Sequence, residues 1–163
     1  WLDVASAVGQ GTTFSVFFPA SAALAQKKPK ETRPPAVVRG GHETVMIVED
    51  EPVLREMARA ILQDCGYQTF EAGSGREALA LWEHHQAAID LVLTDMVMPE
   101  GLSGMDLARR LLETKPSIKI IFASGYSMED IDTAFVRTRQ AVFLQKPYTH
   151  ITLAKAVRES LDK

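Results

Sequence analysis

The chain has 163 residues, 46% of them hydrophobic and 24% charged, which is the size and composition of one soluble domain with length left over for a tail. The formal net charge of −3, with Lys and Arg scattered rather than clustered, excludes the basic field on which nucleic-acid binding relies. The single cysteine, Cys65, cannot close an internal disulfide, a usage that fits a reducing cytoplasm.

In chain order, the first feature is an apolar run with small residues behind it, "FSVFFPASAALAQ" (14–26). It resembles a secretory leader only superficially: Pro19 breaks it, no basic residue precedes it, and the chain opens Trp1-Leu2-Asp3 rather than on an initiator Met. No stretch reaches the ~20 apolar residues of a membrane span. The expectation is a cytoplasmic piece of a longer protein. Next comes "AQKKPKETRPPAVVRGGHE" (25–43), rich in Pro, Lys, Arg and Gly and without apolar periodicity, the composition of a solvated linker. The expected division is therefore a tail (1–21), a linker (22–42) and a folded domain (43–163).

From Thr44 onward, short apolar runs alternate with helix-period stretches. Strands are expected at 44–49, 67–72, 89–95, 118–124 and 141–146, and helices at 52–64, 75–86, 104–114, 127–138 and 149–161. Five such βα units imply an α/β fold with a parallel, doubly wound sheet, because a parallel crossover has to traverse the sheet and usually does so as a helix. The first, third and fourth strands are apolar nearly throughout, as central strands covered on both faces should be. Pro52 suits a first helical turn, Gly66 can end the first helix, and Ser74 with Glu77 offers a capping box.

Ligands of an open parallel sheet bind beyond the carboxyl ends of its strands. Those ends carry Glu49, Asp50 and Glu51 after the first strand, Asp95 after the third, Ser124 after the fourth and Lys146 after the fifth. Any one of them alone is most simply a helix cap or a solvated turn residue. Together they describe a charged pocket. Carboxylates crowded at one site repel, and Mg²⁺ relieves that repulsion while keeping positions open for phosphoryl oxygens. In such a pocket Asp95 is the natural nucleophile, since a carboxylate can form an aspartyl phosphate, and Lys146 and Ser124 can contact the other phosphoryl oxygens.

The motifs "VMIVEDEP", "LVLTDMVMP", "IIFASGY" and "VFLQKPY", in this order and on these strands, resemble the receiver (response-regulator) domain of two-component signalling, over about residues 43–163. That resemblance implies a flavodoxin-like fold with strand order 2-1-3-4-5. It implies Asp95 as phosphoacceptor, taking the phosphoryl group from a phosphohistidine donor on a histidine kinase or phosphotransfer protein. It makes Glu49, Asp50, Asp95 and the Val97 backbone carbonyl the ligands of Mg²⁺, for which Mn²⁺ could substitute. It also makes Ser124 and Phe143 the switch pair, Lys146 the phosphoryl-binding lysine, and Lys146-Pro147 a dipeptide whose bond is commonly cis. Homodimerisation through the fourth helix, fifth strand and fifth helix is common in such domains.

Two departures accompany the resemblance. The first motif reads Glu49-Asp50 where two aspartates are frequent, and "EGLSG" (100–104) lengthens the loop after the third strand by one residue. Val97 and Tyr126 fall where they flank the attacking water, and being apolar or bulky they imply a long-lived phosphorylated state. The tail segment "SAVGQGTTFSVFFPAS" (6–21) resembles the last glycine-rich strand pair of a histidine-kinase ATP-binding domain, though an ordinary hairpin explains it equally well. The resemblance implies a hybrid sensor kinase as parent, with no kinase activity in this stretch.

Rival readings are weaker. A phosphohydrolase of the aspartyl-phosphate type needs a second Asp two residues after the nucleophile, where Val97 stands. A nucleotide- or flavin-binding module needs a Gly-rich loop after the first strand, where "EDEP" is hostile to phosphate without a metal. His84 and His85 point about 100° apart on a helix and cannot chelate together; they are expected at a solvated helix end. Cys65 is expected to be structural, and Met57, Met105 and Met128 to fill core or helix-face gaps.

Overall fold

The computed structural model describes residues 1–18, 39–98, 101–125 and 141–163 and divides the chain into two units, one ending at Pro34 and the other beginning at Pro35. In the first unit, β1 (Leu2–Ala7) and β2 (Gly11–Val16) form an antiparallel hairpin. Its turn uses Gly9 and Gly11 at φ of 78° and 86°, a region that glycine enters without steric cost. Leu2 opposes Val16 and Val4 opposes Phe14, so these four apolar side chains share one face, and all four are exposed. Trp1 and Phe17 stack with ring centroids 4.6 Å apart. Residues 1–18 of the tail thus form a hairpin.

The second unit runs β3 (Thr44–Val48), α1 (Pro52–Asp64), β4 (Gln68–Ala72), α2 (Gly75–His85), β5 (Leu91–Asp95), α3 (Gly104–Thr114), β6 (Lys119–Ser124), β7 (Val142–Gln145) and α4 (His150–Leu161). The helix expected at 127–138 lies outside the described residues. The sheet is parallel throughout, in the order β4-β3-β5-β6-β7. Counted from its own first strand, that is 2-1-3-4-5, as the resemblance implied.

Period-2 alternation divides the core into two layers. Met46, Val48, Val92, Ile120 and Phe122 face one side and pack with Ala78, Trp82, Leu107 and Leu111 of α2 and α3. Val45, Ile47, Leu91, Leu93 and Ile121 face the other and pack with Ala58, Leu62, Leu153 and Val157 of α1 and α4. Burying each such side chain contributes roughly 1.5–3 kcal/mol, which is why the central strands read as continuous apolar runs.

Helix ends follow local chemistry. Pro52 sits in the first turn of α1, and Gly66, at φ 91°, turns the chain out of its last. Ser74 Oγ accepts from the Glu77 N–H at 3.3 Å, but the expected reciprocal bond is displaced by one residue: Glu77 Oε2 accepts from the Gly73 N–H at 2.6 Å. The full capping box is at α4 instead, between Thr149 and Thr152. Ser103 caps α3, whose start lies hard against the end of β5. The Gly104 N–H donates to the Met96 carbonyl at 3.1 Å, and a Cβ at Gly104 would collide with the Asp95 carbonyl oxygen. That contact is backbone on both sides and cannot be relieved by a rotamer. Gly104→Ala should therefore cost about 1–3 kcal/mol in urea unfolding, as forced overpacking does, while the far-UV spectrum stays unchanged.

At the opposite edge of the sheet, Arg158 of α4 bridges Glu43 at 2.9 Å and Asp162 at 2.9 Å. The Arg158 hydrogen bond holds the Glu43 carboxyl below its ordinary value of 4.5. A depressed carboxyl pKa means stability that is complete above the unfolded value and is lost as pH falls through the folded one. Arg158→Met should cost about 1 kcal/mol at pH 7. The difference from wild type should shrink as pH falls below 4.5; urea melts showing a gap that does not change with pH would assign the effect to packing instead.

Candidate functional site

Register brings the strand ends together. Val48 is paired with Thr94, so Glu49 follows beside Asp95; Asp95 is paired with Ala123, and Ser124 with Gln145, which puts Lys146 one step further on. A parallel sheet whose interior is apolar can carry charge only where its strands stop. Here Lys146 Nζ donates to Glu49 Oε2 at 2.6 Å and to Asp95 Oδ2 at 2.6 Å. Glu49, Asp50 and Asp95 each offer a carboxylate oxygen within 4.8 Å of the others. Three acids thus face one ammonium. That donor set, all hard oxygen, fits a divalent cation with oxygen preference.

Main-chain contacts fix these groups. The second Asp95 oxygen, Oδ1, accepts from the Val97 N–H at 3.0 Å, and the buried Thr94 hydroxyl donates to the Asp95 carbonyl at 2.9 Å. The Met96 N–H bonds the Ala123 carbonyl at 3.1 Å, and the Lys146 N–H bonds the Ser124 carbonyl at 2.7 Å. The Lys146-Pro147 bond is cis. Glu49 is anchored by its N–H to the Ala72 carbonyl at 3.1 Å and by its own carbonyl, which accepts from Arg55 Nη1.

The electrostatics divide unevenly between partners. Burial works against the Lys146 ammonium, but its hydrogen bonds to Asp95 and then Glu49 outweigh this and hold its pKa above the ordinary 10.5. Burial likewise raises the Glu49 carboxyl above 4.5, and there Lys146 offsets the effect only in part, with the charges of Asp95 and Asp50 adding to the rise. The two directions agree physically: one ammonium gains two acceptors, whereas each acceptor gains half an ammonium. Burial also raises the Tyr148 hydroxyl, which lies within the field of Glu49, Lys146 and Asp95.

The remaining residues singled out from sequence fall as follows. Ser124 is buried, and Phe143 is half-buried against the α2 and α3 layer, paired in register with Phe122. Val97 is 63% exposed. Tyr126, Met128, Pro99 and Glu100 lie outside the described residues; the following Gly101 has φ 79°, a turn only glycine makes freely. His84 and His85 are exposed, and the His85 ring stacks on Phe70 at 4.5 Å. Met105 packs at the core margin and Met57 is exposed on its helix. Arg55, Thr94 and Gly104 were missed in the sequence. A lone hydroxyl in an aliphatic strand and a cation one turn beyond an acidic loop were the marks that could have found Thr94 and Arg55.

Comparison with known proteins is consistent with this geometry. The family model of the response regulator receiver domain matches residues 45–158. The sensor kinase CckA of Brucella abortus is 40% identical over 170 residues, covering 97% of this chain; the chain spans only 17% of that kinase's length. The response regulator receiver protein CpdR of the same organism is 29% identical over 72% of this chain and 95% of its own length. Among solved structures, the receiver domain of the hybrid histidine kinase CckA matches with a TM-score of 0.61 at 32% identity, over 72% of this chain and 98% of that one. The response regulator TrrA of Thermotoga maritima, solved with Mg²⁺-BeF, matches with a TM-score of 0.64 at 30% identity, over 73% and 99%. With a matching family model over most of the chain, a sheet in the order 2-1-3-4-5 and an acidic pocket with a lysine at its carboxyl edge, this chain belongs to the response regulator receiver domain family of two-component phosphorelay signalling.

Proposed function

We propose that Asp95 is the phosphoacceptor of this receiver, taking its phosphoryl group from a phosphohistidine on a histidine kinase or phosphotransfer protein. The observation that carries the proposal is the Lys146 ammonium at 2.6 Å from both Glu49 and Asp95, with Asp50 completing an acidic cluster beside them. In the transfer, an Asp95 carboxylate oxygen attacks phosphorus, the phosphorus–nitrogen bond breaks, and the imidazole leaves with its electron pair and takes a proton from solvent. Glu49, Asp50, Asp95 and the Val97 carbonyl are the groups that would hold Mg²⁺, with Mn²⁺ as a substitute; when bound, the cation neutralises charge on the phosphoryl oxygens. Lys146 would exchange one of its carboxylate partners for a phosphoryl oxygen, and the Ser124 hydroxyl would take another. Ser124 and Phe143, on neighbouring strands of one sheet face, then form the switch that reports phosphorylation.

The same reading extends to the tail. The hairpin β1–β2, with Leu2, Val4, Phe14 and Val16 exposed on one face, is a remnant of a histidine-kinase ATP-binding domain (1–21), joined by a linker (22–42) to the receiver (43–163). Two observations support this. An isolated two-stranded hairpin is marginal in water and asks for a covering layer. In addition, the likeness to the sensor kinase covers 97% of the chain and so extends well beyond the receiver. The parent would be a hybrid kinase working in the cytoplasm; no described helix is long and apolar enough to cross a membrane.

Incubation with Mg²⁺ and acetyl phosphate should add one phosphoryl mass, located on Asp95 by peptide analysis and absent from Asp95→Asn. Equal labelling of Asp95→Asn would refute the assignment. Mg²⁺ at ten times its dissociation constant should stabilise the fold by roughly 1.4 kcal/mol, and by much less in Asp50→Asn. Because Val97 offers an attacking water no polar help, the labelled protein should persist for many minutes after the donor is removed. Loss of label within seconds would contradict that.

A further inference from the structure

We infer that Arg55 is a positioning residue for the acid pair Glu49-Asp50, and through it for the divalent cation; this rests on the cation reading above. The ladder of β3 ends at Val48, so Glu49 is the first residue whose carbonyl the sheet does not claim. Its N–H is held by the Ala72 carbonyl at 3.1 Å. Its carbonyl is held by Arg55 Nη1 at 2.5 Å, from the first turns of α1. The Arg55 N–H in turn donates to the Glu51 carbonyl at 3.0 Å. The segment from Glu49 to Arg55 is therefore closed on itself, with Asp50 between its two anchors. Freed of the Arg55 bond, the buried carbonyl would lose a donor and the loop would regain conformations in which Asp50 points away from Asp95.

The surroundings are shaped for the guanidinium. A Cβ at Gly73 would lie 3.3 Å from Arg55 Nη1 and 3.4 Å from Glu77 Oε2, so the missing side chain at Gly73 makes room for the arginine head. Glu77 fixes that loop by accepting from the Gly73 N–H at 2.6 Å. Most telling is the choice of acceptor. Lys146 occupies one oxygen of Glu49 and one of Asp95, whereas the Arg55 hydrogen bond goes to the Glu49 backbone carbonyl. That bond holds the loop through its backbone and takes up no carboxylate oxygen. Groups that orient ligands in this way commonly change metal affinity 10- to 100-fold when removed.

Calorimetric titration of the full chain with MgCl₂ should show Arg55→Met weakening Mg²⁺ binding about 10-fold, with the melting temperature in the absence of Mg²⁺ confirming that the variant is folded. In acetyl phosphate labelling, the Mg²⁺ concentration for half-maximal rate should rise by about the same factor, while the rate at saturating Mg²⁺ stays within about twofold of wild type. Arg55→Lys keeps a donor and should be about threefold weaker, which also serves if Arg55→Met proves unstable. An Mg²⁺ dissociation constant unchanged within twofold in a folded variant would overturn the inference while leaving the phosphoacceptor reading intact. Failure of the wild-type chain to bind Mg²⁺ at all would overturn the cation reading, and this inference with it.

Discussion

The structure turns on a single ammonium group shared by two carboxylates. Lys146 Nζ stands 2.6 Å from Glu49 and 2.6 Å from Asp95, and those three residues stand at the ends of three different strands. Buried charge is tolerated only when paired, and no single strand of this sheet could supply the pairing. It depends on the register that lays Val48 beside Thr94, Asp95 beside Ala123 and Ser124 beside Gln145. A slip of one residue in β5 would turn Asp95 to the opposite face and drive Thr94 into the α1 and α4 layer. The apolar packing on both faces, which fixes the register, is thus also what fixes the site.

This dependence explains which parts were legible in the sequence. Elements were readable because the physics behind them is local or periodic: apolar runs for β3, β5 and β6, Pro52 at the start of α1, Gly66 at its end. Convergence at the carboxyl edge was readable too, since parallel topology follows from the alternation of strands and helices and forces every strand end to one side. Partnerships were not. Glu77 was expected to bond the cap residue Ser74 and bonds Gly73 instead, and Thr149 with Thr152 forms a capping box that neither residue advertises. Lys115, which caps the end of α2 through the Gln86 and Ile89 carbonyls, looked like any surface lysine. The hairpin was ambiguous for another reason. Gly-x-Gly specifies a turn, and a turn does not reveal what the strands on either side pack against.

At the site, the identities of Glu49, Asp50, Asp95, Ser124 and Lys146 could be read because each is a polar residue interrupting or ending an apolar strand. Their roles needed distances. Only the geometry tells that Lys146 contacts Glu49 as well as Asp95, or that Asp95 has each oxygen engaged, one by Lys146 and the other by the Val97 N–H. Gly104 is the extreme case. In sequence it is one of 10 glycines, and its importance lies entirely in the close approach of α3 to the Asp95 carbonyl.

The glutamate in the first motif acquires a physical sense from this network. Its additional methylene reaches Lys146 from a backbone position held by Ala72 and Arg55, so the lysine is tied to β3 as well as to β5. Sharing has a consequence for charge. Lys146 is held firmly in its ammonium form, while Glu49 stays harder to ionise than an ordinary carboxyl because burial and its acidic neighbours outweigh half of one cation. One ammonium shared between two acids thus leaves Glu49 only partly compensated. A divalent ion among Glu49, Asp50 and Asp95 would relieve Glu49 directly and weaken the hold of both acids on Lys146. On the proposed reading, cation binding and release of the lysine toward a phosphoryl group are then two sides of one electrostatic exchange.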